Sequence, residues 1–387
     1  MLLPNCGSGK DAFAIISVAP GVTIAGRDFS YRIVVAHSDG AVSFTLLHGP
    51  PGMTMDGSGR LSWSPEYADL GAYEVRVEAR DASAVLRQIW TLRVSQGVLL
   101  GTALSPRRHT LGSTAADFVN HYAGHDPWGQ VIAFHMSWRG AASGAIPDTA
   151  RSAMLAAQTY GFFPAIGFGW ADGSGVPDLT SSSDPFNNSW SNLETRVLFK
   201  SMVEQFAREF HPPVLFLGNE TNVYYLSHSP AEWNNWMSEL AACYAAIKAA
   251  SPGTVVHTVF QYERLKGLGA SAGWSDPEQL HLISELTPGV HADALGLTSY
   301  PFLEFATPTA IPTDYYDAVG ARWSELVIFT EIGWLAAPSP PYPGSESDQA
   351  AFVDLFFDRT QSLTLGYVAW LFLHDWDQEA LIPSIAG

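Results

Sequence analysis

Two glutamates stand directly after uninterrupted apolar runs and are well placed to do chemistry. The run Val214-Leu-Phe-Leu leads through Gly-Asn into Glu220, and the run Leu326-Val-Ile-Phe-Thr ends at Glu331. An apolar run without alternation is typical of a parallel strand that is buried on both faces. In parallel α/β barrels the chemistry lies at the C-terminal ends of the strands. The two stretches therefore predict a pair of carboxylates at one barrel mouth.

A pair of carboxylates in this setting can cleave a glycosidic bond. One group, as the acid, protonates the leaving oxygen, and the other, as a carboxylate, meets the oxocarbenium-like carbon. When the carboxyl groups are about 5 Å apart, the reaction retains configuration through a covalent glycosyl-enzyme. The structural alternative for each glutamate is to cap a helix or to pair with an arginine. Their positions after buried strands favour chemistry.

Three motifs carry a resemblance to a known group of enzymes. Gly218-Asn219-Glu220, Ala294-Leu-Gly-Leu-Thr-Ser-Tyr300-Pro-Phe302 and Thr330-Glu331-Ile-Gly-Trp334 resemble the motifs of strands 4, 6 and 7 in the clan A glycoside hydrolases, which are retaining (β/α)8-barrel enzymes. Within the clan, the sequence looks closest to the arabinogalactan endo-β-1,4-galactanase family, over roughly residues 98 to 387. The resemblance implies that Glu220 is the acid/base and Glu331 is the nucleophile.

The same resemblance implies roles for two neighbouring polar residues. Asn219 is expected to orient the 2-hydroxyl of the substrate through a hydrogen bond that strengthens in the transition state. Tyr300 matches the clan position whose hydroxyl hydrogen-bonds the nucleophile. Its alternative role is structural, as a turn residue before Pro301.

Tryptophans near predicted strand ends are candidates for stacking on sugar rings. Trp334 and one of Trp370 or Trp376 are expected to form the floor of the sugar site. Trp138 and Trp170, both just past strand ends, are further candidates. The alternative for each is core burial, which is the commoner fate of large aromatic side chains.

One position departs from the clan pattern. The clan usually places an arginine near the end of strand 2, where it keeps the nucleophile anionic. Here the predicted strand offers His135, with Arg139 beyond it, and Arg107 and Arg108 follow the first strand. His135 is therefore a candidate site residue, and the two arginines after strand 1 are alternatives.

The elements that must position these residues alternate between strand and helix. With the two glutamate runs, strand-like stretches predict eight barrel strands. The other six are Val98–Ala103, Val131–Trp138, Phe162–Trp170, Thr254–Phe260, Ala292–Thr298 and Tyr367–Leu373. Ser229-Pro-Ala-Glu232 is a capping box with proline at the first helical position, and the following helix should bury Trp233 and Trp236. No Gly-rich phosphate motif follows the first strand, so we predict a (β/α)8 TIM barrel over 98–387 rather than an open sheet.

The residues before the barrel predict a small all-β domain. In Tyr73-Glu-Val-Arg-Val-Glu-Ala-Arg80 apolar and charged residues alternate strictly, which predicts a strand with one buried and one exposed face. We predict a tail over 1–10 and a β-sandwich over 11–96. The run from Gly49 to Pro65 resembles the Ig-like or cadherin-like modules of bacterial secreted and surface proteins. A spacer or packing role is favoured over carbohydrate binding or a lid, because a fold alone does not imply binding.

Charge and composition restrict the partners. Lys and Arg total 20 against 38 Asp and Glu, a formal net charge of -18. Nucleic acid, an anionic membrane surface and acidic polysaccharides would be repelled. The expected partner is a neutral polysaccharide or oligosaccharide, and we predict a monomer with no cofactor and no metal.

The cysteines and the N-terminus bear on localisation. The two cysteines are Cys6, in the tail, and Cys243, in a predicted helix, so a disulfide between them is not expected. Cys6-Gly-Ser-Gly resembles a bacterial lipoprotein start, and the first residues are too short for a complete signal peptide. No apolar run is long enough to span a membrane. With the Ig-like module, these features favour an extracellular or cell-surface protein.

Other functions remain open on the sequence. β-Mannanase, xylanase and β-galactosidase activities would share both glutamates, and a catalytically silent carbohydrate-binding barrel would keep the tryptophans. A metal hydrolase is disfavoured because His374-Asp-Trp-Asp377 and His121 to Asp126 contain ligand types without HExxH spacing. No Gly-x-Ser-x-Gly motif supports a serine hydrolase.

Overall fold

The computed structural model describes residues 12–371, except 18, 26–27, 96, 105–114, 126–129, 139–143, 171–176, 178 and 180–185. Several residues raised above lie outside this part of the chain. They are Cys6, Arg107, Arg108, Asp126, Arg139, His374, Trp376 and Asp377. The chain divides into two compact units after Gly97.

The N-terminal unit is built from strands alone, apart from one short 3-10 helix, among its described residues. The strands are β1 (Ala14–Ile15), β2 (Val22–Ile24), β3 (Phe29–Arg32), β4 (Val35–Ala36), β5 (Ser43–His48), β6 (Thr54–Met55), β7 (Arg60–Trp63), β8 (Gly71–Arg80) and β9 (Val85–Ser95). They form a four-stranded sheet in the order β2-β9-β8-β5, a three-stranded sheet β3-β7-β6 and a pair β1-β4. The predicted Ig-like sandwich is confirmed.

The core of this unit is formed by the inward positions of both larger sheets. Leu61 from the three-stranded sheet and Val75, Val77 and Leu92 from the four-stranded sheet have no exposed surface and belong to one hydrophobic cluster. The strict alternation read in the sequence of β8 is the physical cause, since successive side chains of a strand point to opposite faces.

In the second unit, eight parallel strands of the described chain close into a barrel. They are β10 (Leu99–Ala103), β11 (Val131–Ser137), β12 (Phe163–Gly169), β13 (Val214–Leu217), β14 (Val255–Gln261), β15 (Ala294–Ser299), β16 (Leu326–Ile332) and β17 (Leu365–Trp370). Each strand pairs with the next in the sequence, and β10 also pairs with β17, which closes the barrel. The predicted (β/α)8 architecture is therefore confirmed, and every predicted barrel strand overlaps an observed one.

Helices connect the barrel strands. Those in the described residues are α1 (Ala115–His125), α2 (Asp148–Thr159), α3 (Leu193–Phe210), α4 (Thr221–Ser227), α5 (Pro230–Ala250), α6 (Tyr262–Leu265), α7 (His281–Glu285), α8 (Asp317–Gly320) and α9 (Glu346–Arg359). None of the helices in the described ranges is long and apolar enough to cross a membrane.

The helix α5 begins as its sequence predicts. The Ser229 hydroxyl accepts the backbone N–H of Glu232 at 3.3 Å, and Pro230 occupies the first turn. Trp233 and Trp236 are 2% and 0% exposed, so their predicted place in the core is confirmed. Cys243, on the same helix, is buried as a free thiol.

The barrel interior combines large side chains with glycines. The ring of Phe216 stacks at 6.3 Å on His135 and at 5.2 Å on His257, so three strands contribute to one row. A Cβ at Gly167 would lie 1.8 Å from the Phe216 ring, and one at Gly296 would lie 2.4 Å from His257. Because Gly167 and Gly296 have no side chain, the rings of Phe216 and His257 can occupy the space beside them. Desolvation lowers the pKa of His257 to about 4, so this ring is neutral.

Candidate active site

A sharp strand-to-helix turn positions Glu220. After β13 ends, Gly218 has a φ of 74° and Glu220 itself has φ 49° and ψ 43°, directly before α4. A non-glycine residue in the left-handed region is strained, and such strain is kept where the surroundings fix it. Gly218 is required on steric grounds too, because a Cβ there would lie 2.4 Å from Thr221 and 2.8 Å from Trp170. This turn directs the Glu220 carboxylate to β15, where Thr298 Oγ1 donates to Glu220 Oε1 at 2.7 Å.

A β-bulge positions Glu331. Along the β15 and β16 pair, Leu297 lies opposite Phe329, but the next residue, Thr298, lies opposite Glu331, so Thr330 is an extra residue. A bulge of this kind changes the face on which the next side chain lies. Glu331 is thereby set beside Thr298, the residue that hydrogen-bonds Glu220. The two glutamates therefore flank one threonine at the C-terminal end of the strands.

Tyr300 links β15 to Glu331. Its hydroxyl donates to Glu331 Oε2 in a short hydrogen bond. Burial raises the pKa of this phenol well above 10, and the negative charges of Glu331 and Glu220 raise it further, so the phenol stays a donor. The tyrosine thus holds one oxygen of the carboxylate and leaves the other available.

The electrostatics differ between the two glutamates. Burial raises the pKa of Glu220 to about 7, and the charge of Glu331 adds to this rise while the Thr298 hydrogen bond opposes it. Burial also raises the pKa of Glu331 above its usual 4.5, and the hydrogen bond from Tyr300 opposes that rise. Glu220 therefore holds its proton up to about pH 7, while the hydrogen bond from Tyr300 favours the ionised form of Glu331 against the effect of burial.

Asn219 adjoins Glu220 in the sequence, and His135 lies on β11. Asn219, next to Glu220, has a buried Oδ1 atom without a hydrogen-bond partner among the described residues. The side chain of His135 is exposed, and its ring occupies the space above Gly169, where a Cβ would lie 2.0 Å from Nε2. Surrounding protein atoms lower the pKa of His135, so its ring is neutral at pH 7 and supplies no positive charge to an anionic nucleophile.

The predicted sugar-stacking tryptophans are largely covered by protein. Trp138, Trp170 and Trp334 are 1%, 2% and 3% exposed. Trp170 packs against Trp190, Tyr224 and Trp236, and Trp138 packs against Phe199. Because their faces are occupied, we do not carry Trp138 and Trp170 into the proposed site.

The aromatic residues after β16 and in β17 contact the same helix. Trp334 and the half-buried Trp370 both pack on Phe352 of α9, at 5.3 and 6.1 Å between ring centroids. The half-buried Phe302, which follows Tyr300, contacts Trp334 at 6.3 Å and Tyr342 at 5.6 Å. Phe302, next to Tyr300, and Tyr342, next to Phe302, are therefore partly accessible rings, and sequence reasoning did not single them out as site residues.

Sequence reasoning also missed Thr298 and Glu263. Thr298 lies within the motif that carried the resemblance, two residues before Tyr300. Glu263 follows the buried strand β14 as Glu220 follows β13, but His257 and Thr258 interrupt the apolar run, so the signal was weaker. In the described part of the chain, no three His, Cys, Asp or Glu side chains are grouped to hold a metal ion.

The N-terminal unit matches a known domain family. The family model described as "Putative Ig domain" matches residues 12–100. No curated protein matches the chain.

Solved structures that are similar to the chain include glycoside hydrolases. Exo-β-1,4-mannosidase Op5Man5 from Opitutaceae bacterium strain TAV5 is 13% identical, with a TM-score of 0.53 over 71% of this chain and 52% of that one. A GH5_18 protein from Streptomyces cattleya, in complex with Manb1-4GlcNAc, is 13% identical, with a TM-score of 0.50 over 73% of each chain. An FMN-binding β-glucuronidase from Facaelibacterium prausnitzii L2-6 is 11% identical, with a TM-score of 0.50 over 92% of this chain and 54% of that one.

At these identities the similarity shows the fold alone. The chain spans about half the length of the mannosidase and of the glucuronidase that it matches. The site must therefore be argued from its own residues.

Proposed function

We propose that the barrel is a retaining β-glycoside hydrolase in which Glu220 is the acid/base and Glu331 is the nucleophile. The observation that carries this proposal is the arrangement of the two carboxylates around Thr298. Glu220 has a pKa of about 7, and Glu331 accepts a hydrogen bond from Tyr300. Double displacement requires one protonated and one ionised carboxyl group, and the raised pKa of Glu220 and the hydrogen bond from Tyr300 to Glu331 favour these two states.

The first step forms the glycosyl-enzyme. Glu331 attacks the anomeric carbon through the oxygen that Tyr300 does not hold, while Glu220 gives its proton to the departing oxygen. The bond from carbon to the leaving oxygen breaks as the ester bond forms. Positive charge that develops on the sugar ring lies against the carboxylate of Glu331.

The second step hydrolyses the ester, and the charges make Glu220 ready for it. The negative charge of Glu331 is one of the causes that raise the pKa of Glu220. Glu220 has already given its proton to the leaving group, and once Glu331 is esterified the charge that raised the pKa of Glu220 is gone, so Glu220 stays a carboxylate as water attacks the anomeric carbon. Glu220 then takes a proton from the attacking water, and Glu331 leaves as the carboxylate.

We propose a neutral β-linked polysaccharide or oligosaccharide as the substrate. The first choice is β-1,4-galactan, cleaved within the chain. The net charge of -18 opposes acidic glycans. The unpartnered Asn219 Oδ1 offers an acceptor for a 2-hydroxyl beside Glu220, and Phe302 and Tyr342 offer partly accessible rings. Because Trp334 is covered by protein, the floor is expected from one of Trp370 or Trp376, with only an edge of Trp334, and His135 stays an expected contact.

The N-terminal unit is proposed as a spacer or packing module of an extracellular or cell-surface monomer. The match to an Ig-domain model is compatible with this role. Removing residues 1–96 should leave turnover and polysaccharide affinity unchanged. Loss of polysaccharide affinity with unchanged turnover would assign a binding role to the module instead.

Release of reducing sugar from galactan, β-mannan, xylan and β-glucan tests the proposed function. β-1,4-Mannosides are included because two of the similar structures are described with such sugars. Release by the wild type should be abolished by Glu331→Gln and by Glu220→Gln. Glu239→Gln, at a carboxylate that is 3% exposed and paired with Arg196, is the matched control and should keep its activity. Absence of release, with equal glycan binding by wild type and Glu331→Gln, would instead indicate a silent binding barrel.

A further inference from the structure

A third glutamate, Glu263, lies completely buried at the start of α6. Its two carboxylate oxygens accept four hydrogen bonds from described residues. The donors are Gln261 Nε2 at 2.7 Å, Ser299 Oγ at 2.7 Å, the backbone N–H of Tyr300 at 3.0 Å and the hydroxyl of Tyr315 at 3.0 Å.

None of these four donors is a cation. The neighbouring Arg264 pairs with Asp276 at 2.6 Å, and Lys266 donates to the carbonyl of Tyr315 at 2.9 Å. A buried carboxylate is costly unless its lone pairs are satisfied, so the four donors are tied to their positions as long as Glu263 is ionised. Burying an ionised glutamate without a cation costs desolvation free energy, so stabilisation of the fold alone does not explain its presence.

Two of the four donors form the end of β15. Ser299 is the last residue of the strand, and Tyr300 follows it. The Glu263 carboxylate thus holds a side chain and a backbone N–H of consecutive residues, and the second of them directs its hydroxyl to Glu331. Tyr300 therefore connects the two glutamates: its backbone N–H donates to Glu263 and its hydroxyl donates to Glu331.

We propose that Glu263 is a positioning residue that fixes the Ser299–Tyr300 segment so that the Tyr300 hydroxyl meets the nucleophile Glu331. The catalytic meaning of this inference rests on the proposed function. The contact itself can be tested without any substrate.

Other titratable groups face these carboxylates and must be considered. Around Glu263 they are Tyr300, Tyr315, Tyr316, Tyr262 and Lys266, and its charge also reaches Glu220. Around Glu331 they are Glu220, Tyr300 and Tyr367.

Glu263 could affect Glu331 in two ways, by positioning Tyr300 or by its own charge. Loss of Glu263 would change the pKa of Glu331 in opposite directions in the two cases. Loss of the Tyr300 hydrogen bond would raise the pKa of Glu331, because that bond lowers it. Loss of the negative charge of Glu263, acting directly through space, would lower it.

The substrate-free experiment follows the Glu331 carboxyl by 13C NMR during a pH titration. All variants carry Glu220→Gln so that one member of the coupled pair titrates. Added Tyr300→Phe should move the titration to higher pH by about one unit, the scale of a hydrogen bond to a charged group. Added Glu263→Gln should move it in the same direction, and Tyr315→Phe, which removes one donor, should do so more weakly. Added Glu239→Gln should not move it. A titration in Glu263→Gln that is unchanged or moves to lower pH would overturn the proposal.

The kinetic experiment places the same pair in a double-mutant cycle, in chains that keep Glu220. Glu263→Gln should lower kcat/KM on the order of tenfold, the scale for residues that orient active-site groups. In a Tyr300→Phe background the same change should have little further effect, because both act through one hydrogen bond. A full tenfold loss in that background would contradict positioning through Tyr300. Lack of any turnover in the wild type would instead overturn the proposed function, while the NMR titration would still decide the role of Glu263.

Discussion

The carboxylates of the two units behave in opposite ways. In the described N-terminal unit, the acidic groups with shifted pKa values are Asp56, Glu78 and Asp81, and all three shift downwards. In the described barrel the corresponding groups are Glu220, Glu263 and Glu331, and all three shift upwards.

The pair Asp81 and Glu263 shows the cause. Each accepts four hydrogen bonds, and those of Asp81 come from the backbone of Asp39, Ser83 and Ala84 and from the Ser83 hydroxyl. The pKa of Asp81, which is 9% exposed, falls to about 2 because its hydrogen bonds, mostly from the backbone, outweigh desolvation. The pKa of Glu263 rises because desolvation outweighs its bonds. The number of hydrogen bonds therefore does not decide the proton affinity, and the depth of burial does.

Depth of burial also separates the carboxylates that form ion pairs from those proposed to act in catalysis. Glu78 lies between Arg80 at 3.0 Å and Arg87 at 3.2 Å, where exposed ion pairs are screened by water. Glu220 and Glu331 lie beside hydroxyl donors inside the barrel mouth instead. Carboxyl groups that must gain and lose a proton near neutral pH need a desolvated environment such as the barrel mouth, because desolvation raises their pKa towards 7.

The largest expected effect tests whether only the barrel carboxylates carry chemistry. Glu331→Gln should lower kcat on the order of 10⁴-fold or more, because it removes the nucleophile. Glu220→Gln should do so for natural substrates. With a dinitrophenyl glycoside, whose leaving group needs no proton, its kcat/KM should fall much less than that of Glu331→Gln, although deglycosylation still lacks its base. Glu78→Gln is the control in the other unit, and steady-state kinetics should show unchanged turnover. Equal losses for both barrel variants on the dinitrophenyl substrate would contradict the assigned roles.

A smaller loss is expected when the donor to the nucleophile is removed. Tyr300→Phe should lower kcat/KM by about 10- to 100-fold, because a hydrogen bond to a charged group contributes about 1.5–3 kcal/mol. The acidic limb of the pH profile should also move to higher pH, since that bond lowers the pKa of Glu331. A pH profile with an unchanged acidic limb would show that Tyr300 does not act on Glu331.

The turn before Glu220 should be sensitive to a single methyl group. Gly218→Ala combines a φ of 74° with a Cβ contact at 2.4 Å, so we expect a destabilisation of about 2–3 kcal/mol and a loss of turnover. The matched control is Gly40→Ala in the N-terminal unit, where φ is 83° and no atom lies within 4 Å of the added Cβ. Its cost should be only the backbone term, about 1 kcal/mol. Thermal unfolding of both variants measures the difference, and equal costs would remove the steric argument.

The smallest effect concerns the pH dependence of the acid. Because Glu220 must be protonated and its pKa is about 7, kcat/KM should fall as the pH rises through about 7. Thr298→Val removes a hydrogen bond that lowers this pKa, so the alkaline limb should move to higher pH. Ser62→Ala, at an exposed position of β7 in the other unit, is the control that should leave the profile unchanged. A shift of the alkaline limb to lower pH in Thr298→Val would contradict the role of this hydroxyl.

The sequence predicted the architecture well because burial patterns are local. Val75 and Val77 alternate with charged residues, and Val214 to Leu217 do not alternate, so one strand of each unit could be identified from periodicity. The capping box at Ser229 similarly marked a helix start.

The details of the site were harder to predict because they depend on contacts between distant segments. The bulge at Thr330 and the left-handed Glu220 turn are not visible in the composition of their strands. Trp170 follows a strand end as a sugar-binding residue would, yet its neighbours on α4 and α5 bury it. Glu263 also follows a buried strand, but polar residues interrupt the apolar run before it, and the contacts that suggest a positioning role come from distant segments.

The most direct test of the account is to trap the glycosyl-enzyme. The protein is incubated with 2-deoxy-2-fluoro glycosyl fluorides of galactose, mannose, glucose and xylose, and the labelled peptide is identified by mass spectrometry. The account predicts that one sugar is attached to Glu331 and that prior labelling blocks turnover. A label on a different residue, or glycan cleavage that leaves Glu331 unlabelled by every reagent, would contradict it.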